Sequence, residues 1–288
     1  MDIYDDNYSE LFHVINSLSN VKIIINHDAP LAEELLLTTD ILILGCPSNK
    51  EIKKLEIDVI LKYVRDGGNL LVISDAGGDS ANETNLNDLV ANFHIKIEPT
   101  MIRDQQLNMG SSVAPVIDNI NVSHPAMKNV LKVAFGGCAT LKIDEPATSL
   151  IATNNTCLIE RFTPGNEEAW TLLRVGENWP IIASTPYGQG KVVVCGDIDI
   201  FSNDEDYGIR AMDNKVLIKN IITWFLTPMD VSSVIDWLVS RITNLEEKVE
   251  NLQQNQNILI KENQELKREV RKYADSEDRF PFIEDEDE

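Results

Sequence analysis

Two aspartates two positions apart, Asp197 and Asp199, follow an apolar run at 192–195. At that spacing beyond a strand they can point the same way, as a carboxylate pair or a cation site would require. The loop that follows, Phe201-Ser202-Asn203-Asp204, favours a simpler role in which they hydrogen-bond nearby backbone. The four cysteines, Cys46, Cys138, Cys157 and Cys195, lie in apolar or β-like stretches without a Cys-x-x-Cys pair. They read as buried reduced thiols rather than a zinc site. A nucleophile elbow needs small residues two places before and two after the nucleophile, because the turn is strained. Cys46 sits directly between Gly45 and Pro47, which is the wrong spacing. Cys138 has Gly136 two places before it, but Thr140 two places after and no apolar strand in front. A hydrolase or amidotransferase with a non-standard site would have to centre on one of these two. His13, His27, His94 and His124 are isolated, so neither a catalytic set nor a metal-ligand set is expected. Gly77-Gly78 resembles a phosphate loop only loosely, with no Walker lysine and no third glycine, and no cofactor is implied.

The elements that must position these residues centre on 40–79. An apolar run at 41–44 turns at Gly45 and Pro47, and Ile52, Leu55, Val59, Ile60 and Val64 then recur at helical spacing. Asp66-Gly67-Gly68 stops the helix before a second apolar run at 70–73. This is a βαβ unit, two apolar strands buried on both faces and joined by a crossover helix. It predicts an α/β domain whose ligand-facing edge carries the Gly45 and Gly77-Gly78 loops. If the sheet is ordered as in flavodoxin-like folds, Asp75, Asp79 and Arg103 come near the same edge. Elsewhere the patterns predict a helix at 9–18, a strand at 21–26, a helix at 31–37, and a helix over 84–93 with Thr84 as its cap. A short strand at 95–97 precedes a long loop at 100–125, which is rich in Asn, Ser and Asp. Strands follow at 140–143, 148–152 and 170–175, the last reached across Pro164-Gly165-Asn166, then a hairpin over 181–195 turning at 187–190. A helix at 213–226, with Val216, Leu217, Ile221, Trp224 and Phe225 inward, ends at Thr227-Pro228.

From there the pattern changes. Leu238, Leu245, Leu252, Leu259, Leu266 and Tyr273 fall every seven residues, and Ile235, Ile242, Val249, Gln256, Asn263 and Val270 precede them by three. Leucine at d with mostly β-branched residues at a favours a parallel two-stranded coiled coil, and Asn263 at a is a device that fixes register. The flanks agree: Arg241 would face a partner's Glu246, and Glu262 a partner's Lys267. The last fourteen residues, 275–288, hold eight acids and one arginine and cannot bury enough apolar area to fold alone. The expected organisation is therefore an α/β domain at 1–228, a coiled coil at 229–274 and an acidic tail at 275–288.

The charge balance excludes whole classes of function. At −22, the chain has no basic excess with which to displace counterions from nucleic acid. Asp230 and Asp236 stand where a basic zipper would need arginines. No apolar run reaches the ~18–20 residues that cross a bilayer, so membrane insertion is not expected. The acidic start, Met1-Asp2-Ile3-Tyr4-Asp5-Asp6, is unlike a signal peptide, which makes a cytoplasmic protein the expectation.

Several stretches together resemble the GIFT domain, found at the front of a subunit of intraflagellar transport complex B and in gliding-motility proteins of the GldG type. They are 63–72 (YVRDGGNLLV), Gly77-Gly78-Asp79, 84–89 (TNLNDL), Ala139-Thr140-Leu141 before Pro146-Ala147, 190–196 (GKVVVCG) with Phe201-Ser202-Asn203-Asp204, and the closing helix through Trp224. The resemblance spans roughly 20–228. It implies a fold similar to class I glutamine amidotransferases without the catalytic cysteine, in agreement with the absence of elbow spacing at Cys46 and Cys138. It also implies a binding or scaffold module, for which a carbohydrate-binding role has been suggested. Where the transport subunit continues into a longer assembly region, this chain has the heptads and the acidic tail. The leading expectation is thus a non-enzymatic adaptor that dimerises through its own coiled coil and binds protein partners. The second is a small-ligand or carbohydrate-binding accessory subunit of a transporter, with Gly77, Gly78, Asn85 and Asp197 as its binding residues.

Overall fold

The computed structural model describes residues 7–18, 21–26, 30–47, 49–166, 168–228 and 231–277. Two units are distinguished, Met1–Trp237 and Leu238–Glu288. The first unit is built on a five-stranded mixed sheet. Its first strand, β1 (Ile41–Leu44), lies parallel to β2 (Asn69–Ile73), with Ile41 opposite Asn69, and α3 (Lys54–Arg65) makes the crossover. β2 is parallel in turn to β12 (Gly190–Cys195), which is antiparallel to β11 (Pro180–Tyr187), and β8 (Thr148–Ala152) closes the far edge.

The pleat sorts the apolar residues of β2 and β12 to two faces. Leu71, Ile73, Val193 and Cys195 pack with α1 (Ser9–Asn16) and α6 (Asn214–Leu226), through Leu11, Val14, Leu217 and Ile221. Leu70, Val72, Val192 and Val194 pack on the other side with α2 (Glu33–Leu36), α3 and α5 (Leu86–Val90), the last preceded by the short α4 (Gly78–Asn82). All five residues of β2 are buried, whereas β1, at the sheet edge, is only half-buried. Two continuously buried strands were expected, and only the inner one is. Within α3 the inward residues are Ile57, Ile60, Tyr63 and Val64; Leu55, expected there, is 78% exposed because it falls on the first turn, away from the sheet. Val216 of α6 likewise faces solvent, and Trp224 is half-buried against the core.

The stretch at 21–26 belongs to no sheet among the described residues; Val21, Ile23 and Ile25 lean on the core while their neighbours face water. The expected long loop at 100–125 instead holds β4 (Thr100–Asp104) and β5 (Val116–Ile117). β4 pairs with β9 (Cys157–Phe162), and β9 pairs with β10 (Trp170–Val175) across the turn at Pro164-Gly165-Asn166. Polar residues obscured β4 because its partner strand lies more than fifty residues away. Smaller pairs join β3 (Ile95–Ile97) to β7 (Leu141–Ile143), and β5 to β6 (Val133–Ala134). Asp79, not Thr84, caps α5: its carboxylate accepts from Leu86 N at 2.8 Å and Asn87 N at 2.9 Å, while Thr84 Oγ1 donates to it.

α7 (Val231–Glu277) is one uninterrupted helix of 47 residues. At ~1.5 Å per residue it runs about 70 Å. Of the expected acidic tail, 278–288 lies outside the described residues.

Candidate functional site

β2 and β12 are parallel, with Ile73 opposite Cys195, so residues two places beyond each strand stand side by side. Those residues are Asp75 and Asp197, and Asp199 joins them from the next turn. One oxygen from each carboxylate lies within 4.8 Å of the others. This is the carboxyl end of the parallel strands, where open α/β sheets place their ligands.

The surrounding backbone holds the cluster in place. Asp197 is fully buried; its Oδ2 accepts from Gly136 N and its Oδ1 from Asp199 N, each at 2.7 Å. Asp75 Oδ1 accepts from Ala76 N at 2.7 Å. Gly136 is required by space: a Cβ there would stand 2.5 Å from Asp199 Oδ2 and 2.8 Å from the Tyr207 ring. Just before Asp75, Ser74 Oγ is buried without a hydrogen-bond partner.

Burial, and then mutual repulsion, set the electrostatics. Asp197 is pushed well above the carboxylate range by burial and then by Asp199. Asp199 is raised to about 6 by burial and then by Asp75, and Asp75 itself is raised by burial. Three crowded carboxylates in low dielectric cannot all stay charged, so the cluster favours retained protons or a hard, oxygen-seeking cation held by the same three residues. The predicted backbone-bonding role of Asp197 is present together with this convergence.

The thiols show no activation. Cys46, at the end of β1, is raised to about 11 by burial and by the carboxylates of Asp75 and Asp79. Cys157 is raised to about 12, chiefly by burial, and Cys138 and Cys195 are fully buried and raised well above 9.0. At neutral pH all four are protonated, and a protonated thiol is a poor nucleophile.

Of the expected ligand residues, Asp197 lies in the cluster and Gly77 and Gly78 follow Asp75 directly. Their amides are engaged, Gly77 N with Thr100 O at 2.8 Å and Gly78 N with Asp75 O at 3.0 Å. Gly77 has φ +77°, and a Cβ there would meet Ala81 Cβ at 2.3 Å. The Asn85 amide is engaged with Ile52, accepting from its N at 2.7 Å and donating to its O at 3.0 Å. Arg103 does not reach the cluster; it pairs with Glu160 at 2.8 Å across β4 and β9. The sequence pairs Asp197 with Asp199 but does not bring Asp75 to them. The missing signal was the pairing of β2 with β12.

A groove of about 490 Å³ opens at the other end of the strands, lined by Tyr63, Gly67, Gly68, Gln189, Lys191 and Thr227 among others. Lys191 is already committed there: its Nζ donates to Trp224 O at 2.6 Å and to Thr227 O, capping α6.

The second candidate interface is α7 itself. Its described apolar seam side chains, Ile235, Ile242, Val249, Leu252, Leu259 and Leu266, are all exposed, Leu252 by 67%, and so is Gln256 between them. Asn263 is exposed in register with them, and Val239 and Ile260 widen the stripe. For Leu238 and Leu245 the helix position is described but the side chains are not.

Residues 6–106 match the family profile described as the IFT52 GIFT domain. The chain is 26% identical over 197 residues to the intraflagellar transport protein 52 homolog of Mus musculus, covering 60% of this chain and 41% of that protein. Against the Homo sapiens protein of the same name the identity is 24%, over 60% of this chain and 40% of the relative. This chain thus matches about two-fifths of the length of these curated relatives. Among solved structures it is similar to the mmIFT52 N-terminal domain, with a TM-score of 0.66 and 20% identity over 80% of this chain and 94% of that one. It is also similar to a cytoplasmic protein of Salmonella typhimurium LT2, with a TM-score of 0.53 and 15% identity over 77% and 88% of the two chains.

Proposed function

We propose, on the premise that residues 6–106 carry a GIFT domain, that this protein is a non-enzymatic adaptor. It serves an intraflagellar-transport-like assembly from the cytoplasm, with two GIFT heads joined by a parallel coiled coil over 229–274. The observation that carries the reading is the exposed seam of α7: mostly β-branched residues at a, with Gln256 and Asn263 among them, and leucines at d. Water does not tolerate such a stripe from Ile235 to Leu266, and a second copy covers it in register. The complementary Arg241–Glu246 and Glu262–Lys267 positions favour that copy running parallel. Two heads on one rod give any shared target avidity without a new contact. The protonated state of the four thiols supports binding rather than turnover. The described residues contain no helix long and apolar enough to cross a membrane.

Light scattering on the full chain tests the assembly. One chain is 32.3 kDa, so the expected mass is twice that, about 65 kDa. A 32 kDa particle at micromolar concentration defeats the dimer.

The convergence of Asp75, Asp197 and Asp199 favours a second reading, in which the head holds a cation or small polar ligand beside Gly77 and Gly78. A rise in Tm with calcium or magnesium that is lost in Asp199→Asn supports it.

A further inference from the structure

We propose that the surface formed by the 128–132 loop and the exposed face of α6 docks an acidic segment carrying large apolar residues, supplied by a separate partner protein. The inference does not depend on dimerisation of α7.

Four hydrogen bonds stitch the two pieces of this surface together. Asp213 N donates to Lys132 O at 2.9 Å, and Asp213 Oδ2 accepts from Leu131 N at 2.9 Å and Lys132 N at 3.0 Å. Asn220 Nδ2 donates to Lys128 O at 2.7 Å. The surface so fixed exposes Leu131 by 70%, Met212 by 48% and Val216 by 36%. Around them stand Lys128, Lys132, Lys215 and Lys219, the last two one turn apart on α6. None of these lysines forms an ion pair among the described residues. The one carboxylate inside the patch, that of Asp213, is taken up by the two backbone N–H groups.

The setting makes this local charge informative. The chain carries 47 acids, yet 119–143 and 211–229, which include the patch, hold five lysines and a single acid, Asp213. Charge complementarity therefore selects an acidic occupant, and the three exposed apolar side chains require it to bring apolar residues of its own. The whole chain carries −22, and the field of that charge opposes any broad surface of like sign. A flat anionic bilayer would have to approach that same charge over a wide front. A narrow peptide, within the ~8–10 Å over which charges act at ordinary ionic strength, meets the four lysines against two nearby carboxylates, Asp213 and Glu10, the latter acting on Lys215.

The test measures anisotropy of a fluorescein-labelled synthetic 12-residue peptide in which Asp and Glu alternate with Leu and Phe, added to the full chain. Binding is expected, weakening as salt is raised. It should fall about tenfold in a Lys132→Glu/Lys219→Glu variant, since each reversed rim charge is worth roughly a factor of three. It should fall severalfold in Leu131→Ser/Met212→Ser. These positions are exposed, and an unchanged Tm and circular dichroism spectrum will confirm folding. Equal binding of a control peptide with serine in place of Leu and Phe, or undiminished binding by the lysine variant, overturns the proposal. So does lysine-dependent sedimentation with phosphatidylserine vesicles when the peptide fails to bind. A chain ending at residue 277 that binds the peptide tenfold tighter than the full chain also overturns it, by assigning the surface to this protein's own tail.

Discussion

The head hides charge and the rod displays apolar surface, each the reverse of what water selects. In the head, Asp197 is fully buried beside Asp75 and Asp199, and the neighbouring N–H groups of Gly136 and Asp199 offset part of the cost. In α7 the seam from Ile235 to Leu266 has nothing comparable within its own helix. A fold can compensate a buried carboxylate locally, with a few amides and a proton. A stripe of exposed leucines on one helix has no such local remedy and needs another surface. The difference teaches where to look for function: a small ligand or proton at the sheet edge, a macromolecule along the rod.

The largest effect expected from breaking this contrast is on the rod. Leu252→Asp with Leu259→Asp places four carboxylates in the proposed seam of each dimer, where every leucine lost costs about 2–4 kcal/mol before the buried charge is counted. The dimer should dissociate to monomer at micromolar concentration by light scattering. The Tm of the head, followed by near-ultraviolet circular dichroism, should not change. A dimer that survives the double substitution would mean the stripe is covered by something other than a second copy.

In the head the contrast is sharpened by removing one charge. Asp199 titrates near 6 when folded against 3.8 when free, so the folded state binds more protons between those values. Stability contributed by this group therefore falls as pH rises from about 4 to 6, and the penalty stays constant above that window. Asp199→Asn should raise stability at pH 7.5 by about 1–3 kcal/mol, since one pKa unit is worth ~1.36 kcal/mol, and should change little at pH 4. Urea denaturation at the two pH values measures it. A variant destabilised at pH 7.5 in the presence of calcium, yet stabilised in EDTA, would assign the cluster to a cation.

Much of this architecture was legible because the signals were local. The βαβ unit, the 181–195 hairpin and the closing helix each rest on apolar runs bounded by glycine or proline, and the long helix α7 rests on a repeat of helical spacing. The carboxylate cluster was not legible as a cluster, because Asp75 and Asp197 are 122 positions apart in sequence and meet only through the register of β2 on β12. Asn85 looked like a ligand residue within a motif, yet its amide is bonded to the backbone of Ile52, a contact that periodicity does not reveal. β4 and β9 escaped for a related reason: their polar, uneven patterns become strands only when paired with each other. Leu55 and Val216 fitted a helical stripe by spacing and still face water, since spacing gives the face of a helix more reliably than the extent to which a neighbour covers it.

The smallest expected effect tests whether burial, rather than charge as such, separates the two regions. Arg103 and Glu160 form an ion pair at 2.8 Å, with side chains 31% and 21% exposed, on strands whose backbones are already paired. Partly solvated pairs of this kind contribute ~0–1 kcal/mol, because solvent screens the attraction and ordering two long side chains offsets it. Arg103→Gln keeps the aliphatic stem and a donor, so urea denaturation should show a loss below about 1 kcal/mol, smaller still at high salt. It should also leave the pH profile of the Asp199→Asn variant unchanged, because Arg103 pairs with Glu160 and not with the cluster. If it instead shifted that profile, the sheet edge and the β4–β9 surface would be one electrostatic unit, and the head would resemble the rod in depending on charges spread along its surface.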